Sequence, residues 1–201
     1  METDIVNRGR QKEGRAVEAS AYHQDRPVPT EADWGDYTAD LDQEYAHRVF
    51  AGKTVDEAQA DFRENVIERT DELRFMPAVP FQYYVMGLRD FVLRGPFDGV
   101  DAPSAAGCFL SLVAEKLRDQ PDRILPVMPE LMPAVEHLAA HQADYDADPE
   151  IFGDFSETFQ AIRDRYQDLL RHPPPGRGRG RSGWLTPESA GRKRSKRPNK
   201  S

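Results

Sequence analysis

Apolar residues recur three and four positions apart through the middle of the chain, and no segment alternates apolar and polar positions over a β-branched run. That is the pattern of helices without strands. Leu41, Tyr45 and Val49 are spaced four apart and predict a helix over 39–51. Thr54-Val55-Asp56-Glu57 then fits a capping box, with the Thr54 side chain accepting from the third helical N–H and Glu57 reaching back. The helix that follows is expected to run from Val55 to Met76, with Val55, Ala58, Phe62, Val66, Leu73 and Met76 on one stripe, until Pro77 stops it.

The next helix, over 80–94, starts at Pro80 and carries the densest apolar run in the chain. At roughly 100° per residue, Phe81, Tyr84, Val85, Leu88, Phe91 and Val92 fall within a sector of about 120°. Tyr83, Met86 and Leu93 lie on the other side. They are either covered by another helix or offered to a protein partner as a contact patch. Gly95-Pro96 supplies a C-cap glycine and a residue that cannot continue the helix. Ser104 is positioned to cap a helix over 105–118 that buries Cys108, Phe109, Leu112, Val113 and Leu117. The prolines at 121, 126, 129 and 133 break up the stretch after it. They leave a short irregular turn, then a helix from Pro129 to Tyr145 that buries Leu131, Val135, Leu138 and Tyr145. Asp154 and Glu157 form a second capping box, followed by a stripe of Phe159, Ile162, Tyr166, Leu169 and Leu170. The sum is an all-α protein: one bundle of five or six helices.

Composition sets the limits of that bundle. The chain has 201 residues, of which 38% are hydrophobic and 31% charged, with a mean hydropathy of -0.73. Residues 1–36 and 173–201 lack an apolar period and read as disordered, which leaves 37–172 as the helical domain. No apolar run approaches a membrane span, no secretory leader is visible, and Cys108 is the one cysteine, so a cytoplasmic setting is expected. In a eukaryote the cluster GRKRSKR would also serve as a nuclear import signal.

Charge sharpens the picture further. From Arg171 onward there are ten Lys or Arg and one acid, a charge of +9; the preceding residues hold 17 basic and 34 acidic residues, a charge of -17. An acidic body is followed by a basic segment. Arg177, Arg179 and Arg181 alternate with glycine, Trp184 stands alone, and Arg192, Lys193, Arg194, Lys196 and Arg197 form a dense cluster. These residues can contact the phosphates of a nucleic acid, a protein, or the acidic body itself.

Other candidate chemistry is thin. AGKT at 51–54 lacks the glycine that a phosphate loop needs five residues before Gly52, where His47 stands, and it follows a helix rather than a strand. His137 and His141 share a helix face with Glu130 and Asp144, a spacing that two metal-ligating histidines can use, but HLAAH is not HExxH. Arg69 interrupts the apolar stripe as either an anion clamp or an arginine whose head reaches an acidic neighbour. Cys108 reads as a small buried hydrophobe. No acid–base pair, nucleophile elbow or cofactor motif is present. The expectation is a non-enzymatic interaction or regulatory protein with a protein partner. The alternative is a nucleic-acid-associated protein using residues 173–201, and behind it a metal-dependent enzyme at His137 and His141.

Overall fold

The computed structural model describes residues 26–97 and 101–173, which are helical without a strand among them. A four-residue helix, α1 (Glu31–Trp34), and a 3-10 turn (Tyr37–Ala39) precede α2 (Leu41–Phe50), α3 (Val55–Glu64), α4 (Val66–Phe75) and α5 (Ala78–Arg94). Then follow α6 (Asp101–Asp119), the short α7 (Pro121–Ile124) with a 3-10 turn, α8 (Met128–Ala140), a 3-10 turn (Gln142–Tyr145), the short α9 (Pro149–Phe152) and α10 (Phe155–Arg171). Seven of these helices have ten or more residues, so the bundle is all-α as expected but larger than five or six.

The extra helix comes from a break at Asn65. The helix expected over 55–76 is two, because Asn65 leaves the helical conformation at φ -159°, ψ 87°. Its side chain accepts from the Glu68 N–H at 3.1 Å, starting α4 as an N-cap, while its own N–H closes α3 on the Asp61 carbonyl. The Thr54 capping box at the head of α3 is present as read from sequence. So is the Gly95 cap, at φ +62° with its N–H on the Phe91 carbonyl.

Other boundaries move for local reasons. Helix α5 starts at Ala78, with Pro80 inside the first turn, where the missing N–H has no intrahelical partner to lose. Helix α6 begins at Asp101, before Ser104. Helix α8 starts at Met128 and stops at Ala140, and Tyr145 reaches the core from a 3-10 turn. The body also extends further back than residue 37. Trp34 is 1% exposed, set edge-on to His47 and against Tyr84, and Arg26 donates to Glu130 and to the Gln82 carbonyl. Residues 1–25 and 174–201 lie outside the described part of the chain.

Helix α5 is the axis of the fold, packed against α1, α3, α4, α6, α7 and α8. This encirclement decides the fate of the proposed contact patch. Tyr83 and Met86 are buried in the core and Leu93 packs partly against it, so they are covered by helices and are not a partner surface. At Gly87, α3 comes so close that a Cβ would stand 3.0 Å from the Phe62 ring.

The two turns flanking α5 in space are tied by side chains. The Tyr84 hydroxyl sits between the Phe50 and Lys53 carbonyls, and Lys53 pairs with Asp61 at 2.7 Å. AGKT is therefore a helix–helix turn with its lysine engaged. At the far end, Lys116 donates to the Arg74 carbonyl and Arg123 to the Met76 carbonyl, which satisfies acceptors exposed at the C-terminus of α4.

Candidate binding groove between α2 and α4

Helix α2 does not bury the row that its spacing picks out. Ala46 and Phe50 turn into the core, whereas Leu41 is 81% exposed and Tyr45 41%. Asp40 explains the register: it caps α2 by accepting from the Asp42 and Gln43 N–H groups, so the helix opens with Leu41 in solvent. Residues four apart share a face, so Leu41 and Tyr45 are exposed together.

Helix α4 lies alongside α2. Its outer face carries Ile67 and Phe75, both exposed, with Asp71 between them on the same helical row. Among the described residues, four of the seven large apolar side chains left exposed thus belong to these two helices. Between the helices lies an open groove of about 330 Å³ lined by Asp42, Tyr45, Glu68, Asp71, Glu72 and Phe75.

The lining combines four carboxylates with two aromatic rings. Two arginines stand behind it. Arg74 pairs with Asp71 and, at 2.8 Å, with Glu115. Arg69 pairs with Glu72 and, at 3.3 Å, with Glu68. They offset two of the four negative charges and leave the groove acidic. Arg48 already sits 4.6 Å from the Tyr45 ring centroid, so that ring holds a guanidinium on one face.

The Arg69–Glu72 pair is the feature that singles out this groove. Both side chains are more than nine-tenths buried, yet Arg69 Nε and Glu72 Oε2 have no hydrogen-bond partner. Buried polar groups are almost always satisfied, and each that is not costs about 1–3 kcal/mol. Burial pushes the Glu72 carboxyl above its ordinary range, against the opposing pull of Arg69. Burial also opposes the charge on Arg69, but Glu72 and Tyr45 outweigh it and hold the guanidinium protonated. Arg69 is thus the arginine paired with an acidic neighbour, more deeply set than an arginine at a stripe edge.

The residues proposed as a metal site go elsewhere. Glu130 is taken by Arg26, at the opposite end of its helix from the histidines. His137 and His141 stack with ring centroids 4.2 Å apart, and His141 Nδ1 is 2.7 Å from the His137 carbonyl. Among the described residues no three His, Cys, Asp or Glu side chains come together as a metal would need. Cys108 is half-buried, and burial pushes its thiol up, away from the reactive thiolate. The polyanion candidates, Arg177, Arg179, Arg181, Trp184, Arg192, Lys193, Arg194, Lys196 and Arg197, all lie outside the described residues.

Sequence reading missed the groove. No spacing in the sequence groups Asp42, Tyr45, Glu68, Asp71, Glu72 and Phe75. No sequence signal pointed to it: stripe counting leaves Glu72 outside the core set that includes Leu73, and its burial is set by tertiary packing. The chain matches no protein-family model, no curated protein sequence and no solved structure. No described helix is long and apolar enough to cross a membrane.

Proposed function

We propose that this chain is a non-enzymatic interaction protein whose α2–α4 groove receives a cationic, partly apolar segment of a protein partner. The observation that carries the reading is Glu72 Oε2, a buried acceptor without a donor in a groove that is acidic and aromatic at once. A guanidinium suits it on both counts. Its flat face stacks on Tyr45 or Phe75, and its five N–H donors can serve the carboxylates around it. Leu41 and Ile67 extend the surface for an apolar neighbour of that arginine.

The reading is tested by selecting phage-displayed random peptides on the full chain. Enriched peptides should carry arginine beside an aliphatic or aromatic residue, and should bind the Tyr45→Ala/Phe75→Ala variant at least ten-fold more weakly. Selection of no peptide, or of peptides indifferent to this double variant, overturns it.

A further inference from the structure

Resting on that reading, we infer that the groove has an occupant within the chain: the basic segment 174–201 folds back onto it in cis and competes with external partners. Charge complementarity is the first argument. Nine of the ten Lys or Arg residues that follow Leu170 lie beyond residue 173, and the groove keeps an excess of negative charge after Arg69 and Arg74 are counted.

The chemistry is the second argument. The segment supplies guanidinium groups in the series Arg177, Arg179 and Arg181, then in Arg192, Arg194 and Arg197. Arginine is the side chain that can donate to Glu72 and stack on Phe75 at once. The glycines that alternate with the first series have no Cβ to hold the backbone away from a groove wall.

Geometry is the third. Arg165 of α10 reaches the Leu117 carbonyl at the C-terminal end of α6. The neighbouring Lys116 holds the Arg74 carbonyl, and Glu115 holds the Arg74 side chain. Helix α10 is thus tied at Arg165 to the end of α6 that also holds the end of α4. From residue 173 an extended chain covers up to about 3.4 Å per residue, which is about 60 Å by residue 192. A body of this size has a diameter near 40 Å, on the order of twice its radius of gyration with a margin for the outer shell. Every point of the groove is within reach, and covalent attachment gives the segment an effective concentration that a separate partner must exceed.

The test is paramagnetic relaxation in the full chain, with a nitroxide on Ser195→Cys in a Cys108→Ser background. Both substitutions leave every charge in place. Amide signals of Asp42, Tyr45, Glu68, Asp71 and Phe75 should lose at least half their intensity, and should recover in Tyr45→Ala/Phe75→Ala and in 0.5 M salt. Broadening that is uniform over the surface, centred elsewhere, or unchanged in the double variant overturns the inference. So does broadening that appears only when spin-labelled and isotope-labelled copies are mixed, because the occupant would then be a second copy.

A synthetic peptide of residues 174–201 provides the second arm. It should bind the full-length Arg→Gln variant at 177, 179, 181, 192, 194 and 197 at least ten-fold more tightly than the wild-type chain, whose own segment blocks the groove. Equal affinity for both counts against the inference. Selected peptides that bind the groove while the nitroxide leaves it untouched would remove the intramolecular occupant and keep the docking site. Loss of both removes the docking site as well. Binding of single-stranded RNA through the segment with no response at the groove assigns its charge to nucleic acid and overturns the inference.

Discussion

Among the described residues two arginine–carboxylate pairs are buried, and they are built differently. On α5, Arg89 donates to Asp90 Oδ1 through both Nε and Nη2, at 3.0 and 2.8 Å, while Nη1 reaches the Glu130 carbonyl. Arg94 takes Asp90 Oδ2 at 3.3 Å. On α4, Arg69 and Glu72 hold each other, and each retains one buried polar atom without a partner. Burying a charge requires both pairing and hydrogen bonding of what remains. The first pair meets that requirement from within the fold. The second lines an open groove, and its unpartnered atoms are one donor, Arg69 Nε, and one acceptor, Glu72 Oε2. The difference separates a charge pair that joins helices from one whose hydrogen bonding is incomplete.

The sharpest way to break the comparison is the isosteric change Asp90→Asn. It removes the charge of a carboxylate shared by Arg89 and Arg94 from beside the buried Arg89 guanidinium. The expected loss is about 3–5 kcal/mol, read from urea unfolding at neutral pH. A loss under 1 kcal/mol would mean that the other partners of Arg89 suffice and that the pair is not the structural element described here.

A third buried cation sharpens the contrast by titrating. Lys116 is enclosed between α6 and the end of α4, with the Phe81 ring 4.9 Å away. Burial, then the positive charges of Arg123 and Arg74, pushes its ammonium down to about 8, from 10.5. Above pH 8 the folded chain releases this proton while the unfolded chain keeps it, so the unfolded state binds more protons and stability rises with pH. The Tyr145 hydroxyl acts oppositely: it donates to the Val92 carbonyl, and burial pushes it up to about 12, so stability falls above pH 10. Between pH 7.5 and 9.5 the wild-type chain should therefore gain about 2 kcal/mol relative to Lys116→Met. Parallel urea curves for the two proteins over that range check it.

How much of this was visible beforehand follows from range. Helices α3, α5 and α10 were legible because caps and apolar stripes are written within a few residues, in Thr54–Glu57, Gly95 and Asp154–Glu157. The split at Asn65 was not, because an unbroken stripe from Val55 to Met76 fits one helix as well as two. The buried face of α2 is not fixed by the sequence for a related reason. Leu41, Tyr45 and Val49 satisfy the helical period, but so do Ala46 and Phe50, and only the packing of Phe50 on Phe62 and Tyr84 selects the second set. The groove depends on both events. Its walls come from helices whose facing residues lie more than twenty positions apart, and its floor from a glutamate that stripe counting treats as a solvated acid. The opposed charges of the body and of residues 174–201 needed no tertiary information.

The smallest effect on stability, and the most telling one for the groove, is expected for Glu72→Gln. The amide keeps an acceptor for Arg69 and removes an ionised group that burial disfavours, so the variant should remain within about 1 kcal/mol of wild type at pH 7. Its pH dependence has a definite sign. The Glu72 carboxyl titrates above its unfolded value of 4.5, so below neutrality the folded chain takes up a proton before the unfolded chain does. Wild type should gain stability relative to Glu72→Gln as pH falls from 7 toward 4.5, the reverse of what a carboxylate stabilised by a salt bridge would give. Peptides selected on the groove should meanwhile bind Glu72→Gln at least five-fold more weakly, since the acceptor that lacked a donor has become one. A variant that loses as much stability as Asp90→Asn, or that binds those peptides unchanged, would place Glu72 with the structural pair on α5 and leave the groove without its defining atom.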